Sequence, residues 1–198
     1  MSDPDLRAVA IAGHTDDAAT ARAGTAAADP AVRAAALGAL QRLQALDVDT
    51  LAAALHDADV VVRRRAAELA ATHPSVDLLA SLDDPDDRVV EVAAWACGEH
   101  ESRRDEIVER LVELAAAATD PLVRESAVAA LGAIGDERGL ASIITACSDK
   151  PAVRRRAVLA LAPFEGPEVE AAIDRALVDR DWQVRQAAED LRRAQSEA

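Results

Sequence analysis

The stretch Asp29-Pro30-Ala31-Val32-Arg33-Ala34-Ala35-Ala36-Leu37 decides the architecture. It reads as the start of a helix. The aspartate can accept from the unpaired amides of a first helical turn. The proline follows at the first helical position, where its missing N–H costs nothing. Val32, Ala36 and Leu40 then fall on one face, at the i, i+4, i+8 spacing of a buried helical stripe.

The same device recurs on both sides of this stretch. Asp59-Val60-Val61-Val62-Arg63 with Ala66, Asp120-Pro121-Leu122-Val123-Arg124 with Ala127, and Asp181-Trp182-Gln183-Val184-Arg185 with Ala188 are close copies. Asp86-Asp87-Arg88-Val89 with Ala93 and Pro151-Ala152-Val153-Arg154 with Ala157 are weaker ones. Asp3-Pro4-Asp5-Leu6-Arg7 with Ala10 opens the chain. Taking the apolar residue before the arginine slot as an anchor gives Leu6, Val32, Val62, Val89, Val123, Val153 and Val184, 26 to 34 residues apart and about 30 on average. One phase held along a whole chain is the signature of a repeat architecture.

A further helix precedes most copies: Ala18 to Ala28, Leu51 to His56, Val76 to Leu82, Ile107 to Ala118, Leu140 to Cys147 and Val169 to Val178. Each repeat is therefore a first helix, a short acidic turn and a second helix. The 34-residue step predicts a longer first helix around Glu101–Glu109, and the 27-residue step a short one at Val76–Leu82. Pro163 and Gly166-Pro167 end the second helix that begins at Pro151. No linker interrupts the pattern, so residues 1–198 are expected to form a single domain.

Composition agrees with thin helical layers. The chain is 51% hydrophobic, alanine supplies about a quarter of it, and aromatics only 2%. Trp95, Phe164 and Trp182 are its aromatic residues. Small side chains let helices approach closely, and neighbouring repeats bury what one hairpin cannot. The net charge of −14 disfavours a nucleic-acid partner, which needs a basic face. No apolar run is long enough for a membrane span, and the acidic start Met1-Ser2-Asp3-Pro4-Asp5 lacks a secretory pattern. A cytoplasmic, monomeric protein is the expectation; Cys97 and Cys147 make no disulfide framework.

Ala127-Val128-Ala129-Ala130-Leu131-Gly132-Ala133-Ile134-Gly135-Asp136-Glu137-Arg138-Gly139-Leu140 resembles the helix end, turn and next helix start of HEAT-like repeat proteins, especially the class named after phycobilisome lyases. Leu82-Asp83-Asp84-Pro85-Asp86-Asp87-Arg88-Val89, with Trp95 beyond it, is similar to that class's turn and second helix. The resemblance covers nearly the whole chain and speaks for fold more than for function. It implies an all-α solenoid: a right-handed superhelix of about six helix-turn-helix repeats plus an N-terminal capping helix, with second helices on the concave face.

Four features are candidates for function. The first is the arginine column of Arg7, Arg33, Arg63, Arg124, Arg154 and Arg185, which only Val90 breaks. The resemblance implies that such arginines bridge to acidic residues of the adjacent turn, and Asp57, Asp84 and Asp179 lie six residues before a slot. The second is the concave ridge, two and six residues past each anchor. It carries Arg64, Glu68, Glu91, Trp95, Glu125, Ala129, Arg155, Leu159, Gln186 and Asp190. Trp95 is either a binding anchor there or a packing residue between repeats, and Trp182 is expected as a lid on the last repeat. The third is the series of acidic turns, which read first as helix caps.

The fourth is the histidines and cysteines. His14, His56, His73 and His100 are scattered, with His73 and His100 near helix C-termini. His100-Glu101 is one pair where HEAT-like di-iron hydroxylases carry four, so no metal or other cofactor is expected. No base lies in sequence beside Cys97 or Cys147, and no phosphate loop, Gly-x-Ser-x-Gly or zinc spacing is present. The reading is a non-enzymatic interaction scaffold for a protein or peptide, bound through Trp95, Arg64, Glu68, Glu91, Glu125, Arg155 and Leu159. A bilin-lyase-like accessory role, or another enzyme-associated subunit, is the alternative that the resemblance implies.

Overall fold

The computed structural model describes residues 5–100 and 105–197, and these contain helices and turns but no strand. The N-terminal helix α1 (Leu6–Ala12) precedes six pairs. They are α2 (Ala18–Gly24) with α3 (Pro30–Arg42), α4 (Val48–Leu55) with α5 (Val60–Ala70), and a 3-10 helix (Leu79–Asp83) with α6 (Asp87–Glu99). Then come α7 (Asp105–Ala117) with α8 (Pro121–Ile134), α9 (Leu140–Ala146) with α10 (Pro151–Ala160), and α11 (Pro167–Leu177) with α12 (Trp182–Glu197). The architecture is an all-α solenoid.

The second helices start where the sequence places them, and for the expected reason. Asp29, Asp59, Asp86, Asp120 and Asp181 each accept from the backbone N–H two residues on, at 2.8–3.0 Å. The fifth pair differs: Lys150 occupies the cap position of α10 and offers no side-chain acceptor. The anchors Val32, Val62, Val89, Val123, Val153 and Val184 are all buried. Leu6 is not. It is 49% exposed, and α1 instead buries Val9 and Ala12. Asp5 caps α1 by accepting from the Ala8 amide at 2.7 Å; Asp3 lies outside the described residues.

The first helices are less regular. The segment expected as a short helix at Val76–Leu82 is a 3-10 helix over Leu79–Asp83. Its start is fixed by Asp77, which accepts from the Leu79 amide at 3.0 Å. Its end is fixed by Pro85, which keeps Asp84 extended (ψ 141°). Five residues between those points form one tight turn. The long 34-residue step does yield the longest first helix, the 13-residue α7.

The chain folds as two compact units, Met1–Ala93 and Ala94–Ala198, whose boundary falls inside α6. In the first unit α3 packs on α1, α2 and α5, and α4 packs on α5. Ala36, Leu37, Leu40, Leu51 and Ala66 are its buried centre. In the second, α8 packs between α7 and α10, and α10 also meets α12. Leu111, Ala127, Leu131, Ala157, Leu161 and Ala188 form the centre there.

Small residues set the helix spacing. A Cβ on Gly132 of α8 would stand 2.6 Å from the Ala160 Cα of α10, so only glycine permits that approach. Gly135 ends α8 in the left-handed region (φ 63°), and its amide donates to the Leu131 carbonyl at 3.1 Å. Helix α12 departs from the pattern. The slot five past the anchor is buried and apolar in Leu37, Ala67, Ala94, Val128 and Val158, but it holds the exposed Glu189 in α12. The slot eight past holds Leu40, Ala70, Cys97, Leu131 and Leu161, but Arg192 in α12. Arg192 pairs with Glu170 and Asp174 of α11. Helix α12 therefore carries charge at two slots that are apolar and buried in the other second helices.

Candidate functional site

The arginine column forms a ladder. Arg33 donates from Nε and Nη2 to both carboxylate oxygens of Asp57, at 2.8 and 2.7 Å. Arg63 grips Asp84 in the same way at 2.7 and 3.0 Å, Arg124 grips Asp149 at 2.6 and 2.9 Å, and Arg154 grips Asp179 at 2.9 and 2.7 Å. In every rung the third nitrogen, Nη1, donates to carbonyls of the turn before the arginine's own helix. Arg63, for example, reaches the Asp57 and Ala58 carbonyls at 3.0 and 3.1 Å. One guanidinium thus ties its own turn to the next. Asp57, Asp84 and Asp179 also accept the backbone N–H two residues on, at 2.8–2.9 Å.

The eight side chains of these rungs are at most 21% exposed. Their donors and acceptors are spent on one another, so these four arginines are structural and do not face a partner. Asp57, Asp84 and Asp179 are the partners the spacing suggests. Asp149 is a rung that the six-residue rule misses, because it stands five residues before Arg154. The arginine beside Asp57, Asp149 and Asp179 holds each carboxyl below its ordinary value near 3.8, against a smaller opposing effect of burial. Arg88 does the same to the capping Asp86, lowering it to about 2. Arg7 is exposed.

The ridge residues divide between the units. In the first, Arg64 and Glu68 of α5 are exposed and Glu91 of α6 is half-buried. Glu68 accepts from Arg65 at 2.8 Å. In the second, Trp95 of α6 and Leu159 of α10 occupy the same slot, six past their anchors, and are 41% and 42% exposed. Ala129 of α8 holds that slot between them in sequence. Glu125 and Arg155 are half-buried. Trp95 is part exposed and part covered, so both readings of it, binding anchor and packing residue between repeats, stand.

Beside Leu159 lies a shallow depression of about 220 Å³ between α8 and α10, bounded by Ala129, Ala133, Arg156, Leu159, Ala162 and Pro163. Sequence reasoning named Ala129 and Leu159 but missed the others. Arg156 sits three past its anchor, and its Nε lies 3.7 Å from Glu125, an ion pair too long for a hydrogen bond. Trp182 does not act as a lid. It starts α12 with 65% of its surface exposed, beside the still more exposed Val178.

Cys97 is buried in its core slot. Burial pushes the Cys147 thiol up to about 11, against a smaller effect of Arg175, so the thiol stays protonated near neutral pH. His73 does lie at a helix C-terminus, its Nδ1 3.0 Å from the Leu69 carbonyl. Among the described residues no three His, Cys, Asp or Glu side chains converge as a metal site requires, and Glu101 lies outside them. No helix among the described residues is long and apolar enough to cross a membrane.

The comparisons with known proteins agree on fold. Residues 75–152 match the family model for HEAT repeats. The match is to HEAT repeats in general, and nothing in it selects the phycobilisome-lyase class. No curated protein sequence matches the chain. YibA of Escherichia coli superposes with a TM-score of 0.73 at 20% identity, over 95% of this chain and 75% of that one. A designed armadillo repeat protein in complex with the peptide (KR)4 gives 0.59 at 18% identity, over 96% and 99%. Human deoxyhypusine hydroxylase gives 0.51 at 19% identity, over 98% and 79%. At these identities the likeness is one of fold. Residues 75–152 are thus similar in sequence to HEAT repeats, and the chain shares the helical-repeat fold of these structures.

Proposed function

We propose that this protein is a non-enzymatic scaffold that binds a protein or peptide along the face of its second helices. The observation that carries the reading is the pair of large apolar side chains, Trp95 and Leu159, left half-exposed at one repeat slot, with Leu159 lining the α8–α10 depression. Single exposed hydrophobes are ordinary, but a tryptophan and a leucine at the same repeat slot, the leucine beside Arg156 and its Glu125 ion pair, have the composition of an interface centre. Arg64, Glu68 and Glu91 are the corresponding candidates of the first unit. The (KR)4 peptide held by the designed armadillo protein supports a peptide as the class of partner. The charge of −14 favours a protein over a phosphate backbone. The protonated Cys147 supports the absence of thiol catalysis.

The test is affinity capture with cross-linking from native lysate, comparing the natural chain with a Trp95→Ala/Leu159→Ala variant whose helicity is checked by circular dichroism. Both positions are solvent-facing, so the variant is expected to stay folded. Partners recovered by the natural chain are expected to drop at least tenfold with the variant. Equal recovery by a folded variant would remove the site assignment.

A further inference from the structure

We propose that the cleft between α2 and α4 in the first unit binds a small neutral aromatic molecule, one ring system that carries an N–H or O–H donor. The cleft measures about 280 Å³. Its lining takes Leu37 and Val62, both buried, from the second helices, Thr25 from the end of α2, and Thr50, Ala53 and Ala54 from α4. It exists because the first helices of this unit stand apart. Helix α2 packs on α1 and α3, and α4 on α5, with little contact between α2 and α4, whereas α7 meets α9 directly in the second unit. Alanine leaves the gap unfilled: Ala53 is exposed and Ala54 half-buried. Two ion pairs bracket α4. Asp47, its N-cap, takes Arg22 of α2 at 2.9 Å, and Asp57, two residues past its end, takes Arg33 of α3. The space between these bridges suits a compact molecule rather than an extended peptide.

The polar groups of the lining define what that molecule must bring. Arg33 spends four of its five N–H groups on the protein: Nε and Nη2 donate to Asp57, and Nη1 to the Ala27 and Ala28 carbonyls. Its edge is nearly closed, and what it offers an occupant is the flat face of the guanidinium, which stacks on aromatic rings. Both carboxylate oxygens of Asp57 are taken by Arg33, and one also accepts from the Asp59 amide. The matched pair leaves an anion or a cation without a counter-charge to bind. The threonine hydroxyls have given up their hydrogens, Thr25 to the Arg22 carbonyl at 2.8 Å and Thr50 to the Asp47 carboxylate. Their oxygens can only accept, so the ring needs a donor. Size agrees. An apolar cavity of about 150 Å³ holds benzene, and drug-sized ligands occupy ~300–1,000 Å³, which places this cleft at the size of phenol or indole.

The probes are indole and phenol, titrated into the 15N-labelled full chain. Cyclohexanol, which lacks the aromatic face, and benzoate, which is charged and lacks the donor, serve as comparisons. Saturable ring-current shifts are expected at the Arg33 Nε–H and at the Thr25, Thr50 and Ala54 amides. Cyclohexanol and benzoate are expected to bind at least fivefold more weakly than indole, and so is the capped tripeptide Gly-Trp-Gly, whose backbone the bridges keep out. Ala54→Leu fills the cleft and is expected to abolish the shifts. Thr50→Val keeps the volume and removes an acceptor; it is expected to weaken indole at least threefold while the Arg33 Nε–H resonance of the free protein stays in place. No saturable shift, equal binding of cyclohexanol or of the tripeptide, or unchanged indole binding by either folded variant would overturn the proposal. So would shifts confined to the amides around Trp95 and Leu159, which would place the ring on the exposed face instead.

Discussion

At the scale of the residue, the ladder shows how one side chain can do several jobs. Each arginine satisfies turn carbonyls that the helix ends leave without partners and fixes the next turn through a bidentate, charge-assisted pair. Exposed ion pairs contribute only ~0–1 kcal/mol, but these are mostly enclosed, and removing one partner strands the other. Asp84→Ala is expected to destabilise the fold by about 2–3 kcal/mol, because Arg63 loses its acceptor in a largely buried site. The double variant Arg63→Met/Asp84→Leu is expected to cost less than the sum of its single changes, and urea melts of the set measure that coupling. The carboxylates also set the response to acid. Asp57, Asp149 and Asp179 have folded values below the ordinary one near 3.8, so their contribution is complete above that pH. It is lost as pH falls through the depressed folded values. Chemical denaturation at pH 7, 4 and 3 is expected to show little change between the first two and a clear loss at the third.

At the scale of the element, what the sequence makes legible depends on length and on capping. The second helices could be placed because an aspartate cap and a three-residue apolar stripe both mark them, as in Asp120 with Val123, Ala127 and Leu131. The first helices were harder. Helix α9 has seven residues and no side-chain cap, and Leu79–Asp83 is too short to show a helical period at all. Leu6 misled because its motif is local while its burial is tertiary: α1 turns Val9 and Ala12 toward α2 and α3 instead. The candidate surface was legible as slots, since Trp95 and Leu159 share a phase. Arg156 and Pro163 join it through the approach of α8 to α10, which no single helix reveals. That approach yields its own prediction. Gly132→Ala places a methyl against the Ala160 backbone, so thermal unfolding is expected to show a loss of about 1–3 kcal/mol despite alanine's better helix propensity. Gly166→Ala meets nothing within 4 Å and should cost only the strain of its φ of 119°.

At the scale of the whole molecule, layers contact their neighbours and little else, so local stability should vary along each unit. Amide exchange is expected to be slowest in α3 and α5 of the first unit and in α8 and α10 of the second. The exposed ends, α1 and the last turns of α12, are expected to exchange orders of magnitude faster. Uniform protection along the chain would contradict a nearest-neighbour architecture. The charge of −14 belongs at this scale as well. Much of it sits in caps and rungs, where it is locally matched, yet the remainder is self-repulsive. Added sodium chloride is expected to raise the melting temperature by a few degrees, as screening relieves the excess.

The ladder also bears on how such a chain can be lengthened or shortened. Every rung joins an arginine to an aspartate about one period downstream, 25 residues from Arg124 to Asp149 and 25 from Arg154 to Asp179. Excision of residues 125–154 would bring Arg124 into the place of Arg154, facing Asp179, with the junction closed by the same bidentate grip. A cut that removes Asp149 together with Arg154 leaves no orphaned charge, and a cut that removes only one member of a rung strands the other. The chain thus carries its own splice sites: whole periods can be gained or lost by recombination without a compensating mutation, and the aspartate turns mark where.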